Sequence, residues 1–227
     1  MSPMGNGSAT DGTAIAPDGS PVALYSMLPP GGEPEIITAA VPACAPILEL
    51  GCGAGRVTHP LVAAGHPVVA VDQSPEMLDH VRGARTVHAD IETLALATRF
   101  PAVLLGSCLV NTAVPDQAEA FLATCLRHVD RDGVVLVQRT SPEWAESLRP
   151  GHRLRIGSFD VVMTRVSVEC GVMRATQECT DGTHTWTHSW TDLVYTDAEF
   201  SALVAANGFT PPVWLAEEWA LLRPLGR

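Results

Sequence analysis

The sequence predicts an α/β fold on a mixed seven-stranded sheet, mostly parallel with its last strand antiparallel, flanked by helices and carrying an antiparallel β-rich insertion after the fifth strand. Three observations predict it. An apolar run at residues 47–50 passes through Gly51-Cys52-Gly53-Ala54-Gly55-Arg56 into a helical pattern, then into a second apolar run at 68–71 that ends at Asp72. Short apolar runs go on alternating with helix-like segments to about residue 140, as parallel strands joined by crossover helices do. Over residues 153–195 the pattern changes to apolar–polar alternation with turn signals at Cys170-Gly171 and Asp181-Gly182, as antiparallel strands require. The whole reads as one Rossmann-like domain over residues 19–227, with 153–195 inserted in it.

Residues 1–18, rich in Gly, Ser, Thr and Asp, read as a disordered tail. The segment 20–28 carries Tyr25 and Met27 and breaks at Pro29-Pro30-Gly31-Gly32. Glu33-Pro34-Glu35 opens a helix to about residue 41, with proline in the first turn and acids that suit its dipole. Strand 47–50 is followed by a helix over 56–64, ended by Gly65, and strand 68–71 by a helix over 75–81 that Ser74 caps. Strands 86–89 and 102–105, a helix over 116–129 and, after Asp132-Gly133, strand 134–138 complete the parallel part. The insertion holds strands 159–168, 172–179 and 185–195. A helix over 197–207 ends at Gly208, and strands 212–217 and 219–223 close the chain as a hairpin at one sheet edge.

The turn and the acid describe a site. Glycines let backbone approach a ligand closely, and a carboxylate 21 positions after Gly51 can accept hydrogen bonds from ribose hydroxyls. A dinucleotide fingerprint needs a small residue at its sixth position, beneath the pyrophosphate, but that position is Arg56. Glu49, just before the turn, would repel a pyrophosphate and suits a cationic group. The expected ligand is therefore an adenosine compound that is cationic and lacks phosphate.

At these residues the chain resembles the class I S-adenosylmethionine-dependent methyltransferases. Their E/D-x-G-x-G-x-G turn is matched by Glu49, Gly51, Gly53 and Gly55, their ribose-binding acid by Asp72, and the adenine-binding segment after the third strand by Asp90-Ile91-Glu92. The resemblance covers residues 45–140 well and the remainder more loosely. It implies S-adenosyl-L-methionine as cofactor, S-adenosyl-L-homocysteine as product, and a binding set completed by Tyr25, Cys52, Gln73, Met77 and Ser107. Asp90 could accept the adenine amino hydrogen or cap a following helix, and Ile91 could cover the ring. Tyr25 is either an aromatic lid over the methyl donor or ordinary core packing. The carboxyl end of the fourth strand faces the reacting methyl in this fold, which makes Ser107, Cys108 and Asn111 neighbours of the chemistry. Arg139, Glu143 and Trp144, after the fifth strand, line either a substrate pocket or a surface loop.

Composition narrows partners and chemistry. All 14 basic side chains are arginines, so Schiff-base and P-loop lysine chemistry are excluded. A net charge of −11 disfavours nucleic acid as a partner. No apolar run approaches the ~20 residues of a membrane span, and the first residues lack the pattern of a signal peptide, so no membrane association and a cytoplasmic location are expected. Six cysteines without a C-x-x-C pair read as reduced, mostly buried thiols. His184 and His188 would stand ~13 Å apart in a strand, too far to share an ion, so no metal is expected.

In the insertion His184, Trp186, His188 and Trp190 share one face by the period of two. That face could roof the active site, form the interface of a homodimer, or bury against the main sheet. If it is a roof, His188 or His184 could accept a proton, and the catalytic candidates are His188, Asn111 and Tyr25. There is no Asn/Asp-Pro-Pro-Tyr sequence, no motif cysteine pair and no carboxylate-rich metal loop. The expected activity is methyl transfer to a nitrogen of a small-molecule metabolite in secondary metabolism, natural-product methyltransferases having a similar layout. The alternatives are O-methylation of a hydroxylated metabolite, α-N-methylation of a peptide terminus, and a non-catalytic module that only binds the cofactor.

Overall fold

The structure, a computed structural model, describes residues 14–226. The first half of the chain forms α1 (Val22–Met27), α2 (Glu33–Ala40), β1 (Ile47–Leu50), α3 (Thr58–Ala63), β2 (Val68–Asp72), α4 (Pro75–Leu78), β3 (Arg85–His88) and β4 (Phe100–Leu105). Then come α5 (Gln117–His128), β5 (Val129–Gln138), α6 (Pro142–Ser147), β6 (Arg153–Ile156), β7 (Phe159–Glu169), β8 (Val172–Thr180), β9 (Thr185–Leu193), α7 (Asp197–Ala206), β10 (Val213–Ala216) and β11 (Trp219–Leu222).

The main sheet has seven strands in the order β10-β11-β5-β4-β1-β2-β3. The neighbours from β5 to β3 pair in parallel, and β11 runs antiparallel to both β5 and β10. All four residues of β1 are buried, as a strand covered on both faces requires. Alternate residues go to opposite layers. Leu48, Leu50, Val103, Leu105, Val135 and Val137 pack toward α5 and α7, whereas Ile47, Ala102, Leu104 and Leu136 pack toward α2 and α3. Glu49 shares the parity of Ile47 and so points into the α3 side, where Thr58 meets it.

A second sheet, β6-β7-β8-β9, is antiparallel throughout and forms the insertion. Its joint to the main sheet is made of backbone and side chain together. Thr112, after β4, bridges Asp192 of β9, and Asn111 Nδ2 donates to the Leu193 carbonyl at 2.5 Å. The insertion is thereby fixed over the carboxyl ends of β4 and β5.

Several sequence boundaries move. Of the tail expected through residue 18, positions 1–13 lie outside the described residues, while 14–18 are ordered against the body: Ile15 bridges Pro21 and Ala16 is buried. The segment 139–144, read as a pocket wall or loop, becomes α6 from Pro142 onward, capped by the Ser141 hydroxyl at the Trp144 N–H, 3.0 Å. Ser141-Pro142-Glu143 repeats the Ser74-Pro75-Glu76 signal that starts α4, so this helix was legible. Among the described residues, no helix is long and apolar enough to cross a membrane.

Candidate functional site

The turn after β1 brings its own carboxylates. The Gly53 N–H donates to Asp72 Oδ2 at 2.8 Å and the Ser74 N–H to Oδ1 at 2.9 Å, so the acid at the end of β2 is held against the turn. Burial pushes the Asp72 carboxyl above its ordinary value, the two backbone donors partly offsetting this. Gly53 has φ +53°, and a Cβ added there would meet nothing within 4 Å, so the turn opens onto free space directly above Asp72. Gly51 differs: a Cβ there would stand 2.4 Å from Leu109 Cδ1, so its missing side chain makes room for protein.

Glu49 is buried beneath the turn and accepts from the Thr58 hydroxyl at 2.6 Å. Burial outweighs that bond and pushes its carboxyl up to about 7. Arg56 does not face the opening as a phosphate clamp; it pairs with Glu33 at the start of α2, at 2.5 Å. Burial tends to raise the Glu33 carboxyl, but the guanidinium wins and holds it below its usual range.

At the end of β3, Asp90 is exposed, and no helix follows within residues 89–99, which removes the reading of Asp90 as a helix cap. Ile91 is buried beside Gly51, and its carbonyl accepts from Thr124 at 2.8 Å. Glu92 turns toward α5 instead, accepting from Gln117 Nε2 at 2.6 Å. Gln73 is exposed and its carbonyl meets His88 Nε2 at 3.0 Å. Cys52 is buried within the turn, and Ser107 is exposed with its N–H on Gln138 Oε1 at 2.8 Å. Ser107 and Cys108 both have left-handed backbone, at φ +52° and +54°, a strained pair at the end of β4. Burial pushes the Cys108 thiol up to about 12, with Asp192 adding to it, so this sulfur is a neutral neighbour and no nucleophile.

The first ordered segment and α1 lie across this opening. Ala16 and Val22 pack with Ala54 of the turn and Met77 of α4, and Tyr25 joins them from above. The Tyr25 hydroxyl lies 3.4 Å from His188 Nδ1, and the two rings meet edge to face at 6.0 Å. Burial raises the phenol and lowers the imidazole, which leaves both groups neutral near pH 7. Trp186 is buried with Leu24 and Phe159, while Trp190 packs with the cluster of Ala145 of α6 and Leu148 just after it. The aromatic face of the insertion therefore covers α1 and α6 at the carboxyl edge, and does not bury against a face of the main sheet. His184, at its far end, is exposed, its ring and N–H on Asp181 and its carbonyl accepting from the Thr180 hydroxyl at 2.7 Å.

Two expectations need correction. Asn111 is fully buried and both ends of its amide are used: Oδ1 accepts the Thr140 N–H at 2.8 Å and Nδ2 holds Leu193, so it joins the two sheets and offers nothing to a substrate. Arg139 is also buried, its guanidinium 4.0 Å from the Trp214 ring centroid and ion-paired with Asp197. Arg139 and Glu143 do border a cavity of about 230 Å³, on the outer flank with Trp214 and Glu217; Trp144 does not.

One carboxylate at this edge was not singled out in the sequence. Asp192 continues the row His188, Trp190 by one more step of two and accepts from the Thr140 hydroxyl at 2.7 Å. Burial raises its carboxyl to about 6, against hydrogen bonds that lower it. The period that selected the aromatics would have selected it too. Among the described residues no three His, Cys, Asp or Glu side chains converge as metal ligands.

A mostly parallel sheet with a glycine turn after its first strand, an acid after its second and an antiparallel β11 is the layout of α/β proteins whose ligands sit at the carboxyl edge of the sheet. Residues 47–133 match the methyltransferase domain family. An uncharacterized methyltransferase of Mycobacterium tuberculosis, Rv3342, is 36% identical over 137 residues, 60% of this chain and 49% of that protein; the chain thus spans about half the length of the curated relatives it matches. Among solved structures, the CcbJ methyltransferase of Streptomyces caelestis superposes with a TM-score of 0.70 at 19% identity, covering 87% of this chain and 90% of the other. The sugar N-methyltransferase KedS8 of Streptoalloteichus gives 0.65 at 18% identity over 99% and 98%. Residues 47–133 thus carry a methyltransferase domain, and the fold of the chain is that of the solved methyltransferases it superposes on.

Proposed function

We propose that the protein transfers the methyl group of S-adenosylmethionine to a nitrogen of a small-molecule amine. One observation supports the cofactor half of this reading: the free space over Gly53 is bordered by the carboxylate of Asp72, with Glu49 buried beneath the turn, while the nearby Arg56 is already paired with Glu33. A pyrophosphate would meet a negative group there and no available cation. A sulfonium with an ammonium and a ribose fits. Asp72 would accept from the ribose hydroxyls, Glu49 would orient polar groups about the ammonium, and Ile91 and Met77 would border the adenine. The sulfonium brings the driving force when bound, and the residues of the chain supply alignment and exclusion of water.

The nitrogen half rests on the acceptor side. An amine attacks once it has shed a proton, so the site needs no strong base but gains from carboxylates that attract a cation. Asp192 and Glu218 both lie within Coulombic reach of Cys108 at the end of β4. Two solved structures of similar fold are a sugar N-methyltransferase and a glycopeptide N-methyltransferase. A hydroxyl acceptor is the second reading, favoured by the neutral His188 beside Tyr25, which could take its proton.

Titration calorimetry with S-adenosylmethionine, S-adenosylhomocysteine and NADH tests the cofactor. The first two should bind and NADH should not. Asp72→Ala should weaken binding at least tenfold, since a hydrogen bond to a charged group contributes about 1.5–3 kcal/mol. Unchanged affinity would mean that the ribose is held elsewhere.

A further inference from the structure

Asp192 has no role in the cofactor site, yet the fold spends three contacts on fixing it. Its backbone bridges Thr112, its neighbour Leu193 is held by Asn111, and its carboxylate accepts from Thr140, just after β5. Two of these anchors follow β4 and one follows β5, so Asp192 hangs over the strand ends beside β1. β4 neighbours β1, and β5 is the next strand out, so Asp192 lies on the β4–β5 side of the glycine turn. On its own strand Trp190 and His188 share its face, and His188 reaches Tyr25 over that turn. The row thus runs from the lid above the turn to a carboxylate on the acceptor side.

We propose that Asp192 selects the acceptor, pairing with the ammonium of a protonated aliphatic amine beside Trp190, and discriminates against a neutral hydroxyl compound of the same shape. The inference rests on the amine reading above and names the residue that enforces it. Half-shielded from water, a carboxylate attracts a cation far more strongly than at an open surface. An alcohol in its place would leave that charge unpaired, and discrimination of this kind exceeds what an apolar pocket achieves. The neutral Cys108 after β4 lies within Coulombic reach of Asp192 and also of Glu218 before β11, and His188 shares the strand face of Asp192 two steps back on β9. Arg56 also reaches Cys108 but is paired with Glu33, and Arg139 is turned to Asp197.

The test uses cyclohexylammonium and cyclohexanol, equal in shape and different in charge, titrated into the protein with and without S-adenosylhomocysteine while the tryptophan indole N–H signals are followed. The wild type should prefer the ammonium at least tenfold at pH 8. Asp192→Asn should bring the two affinities within about threefold and leave S-adenosylhomocysteine affinity unchanged. In the wild type the preference should fade as pH drops through about 6, and Thr140→Val, which removes a bond to the charged form, should move that midpoint upward. A wild type without preference, or a preference that survives Asp192→Asn, overturns the proposal. Should the variant not fold, the wild-type pH series decides, and a preference constant from pH 8 to pH 5 overturns it. Failure of the cofactor reading looks different: S-adenosylhomocysteine would not bind the wild type, whatever the amines do.

Discussion

The Tyr25 hydroxyl meets His188 Nδ1 at 3.4 Å, joining two residues 163 positions apart and tying helix α1 to strand β9 above the glycine turn. The contact is long for a hydrogen bond, and the edge-to-face stacking and shared burial with Ala16, Val22 and Met77 contribute more to it. Tyr25→Phe should therefore change S-adenosylhomocysteine affinity by less than about threefold, whereas Tyr25→Ala, which also removes the ring, should weaken it tenfold or more. Equal effects of the two variants in calorimetry would assign the lid to the hydroxyl.

Glu49 makes stability depend on pH. Its carboxyl titrates near 7 in the folded protein against 4.5 ordinarily, so between those values the native state keeps a proton that the unfolded chain has lost. The stabilisation is complete below pH 4.5 and disappears as pH rises through 7, an effect on the order of 2–3 kcal/mol. Asp72 and Asp192, also raised by burial, act in the same direction at lower pH. Glu49→Gln keeps an acceptor for Thr58 and loses the titration, so its melting temperature should gain on the wild type between pH 5 and pH 8. Parallel pH curves would show that Glu49 stays ionised in the folded state.

Asn111→Ala should act on stability and not on cofactor binding. It orphans the buried Thr140 N–H and the Leu193 carbonyl, at about 1–3 kcal/mol for each unsatisfied group. Denaturant titration should show the loss, with S-adenosylhomocysteine affinity within threefold of wild type. A fully stable variant that has lost only methyl transfer would return Asn111 to the chemistry.

Gly53→Ala should separate folding from binding. The positive φ costs about 1–2 kcal/mol for a residue with a Cβ, and that Cβ meets no protein atom within 4 Å, so the variant should fold. The added methyl would occupy the space assigned to the cofactor, and affinity should fall at least tenfold by calorimetry. Retained affinity would move the ligand away from the turn.

The strand ends and the turn were legible because each is a local matter. Ile47 to Leu50 is apolar but for Glu49 and reads as a covered strand, and Ser74-Pro75 caps α4 within its own first turn. Where the reading went astray, the deciding partner was distant. Asn111 looked available until Leu193, 82 positions away, took its amide, and Glu92 looked like an adenine ligand until Gln117, 25 positions away, took its carboxylate. Arg139 reads as a pocket wall or loop, and it was Trp214 and Asp197, 75 and 58 positions on, that fixed its guanidinium at a cavity on the outer flank.

By itself the sequence determined the parallel sheet, the glycine turn and the acid of the cofactor site, because a strand–turn–helix–strand unit of some 26 residues from Ile47 to Asp72 specifies its own geometry through hydrophobic period and glycine conformation. Tertiary structure alone decided which polar groups remain free to meet a ligand. Burial and hydrogen bonding are set by whatever the packing brings alongside, and it was the docking of the insertion onto the ends of β4 and β5 that bound Asn111 into the scaffold and set the Asp192 carboxylate on Thr140.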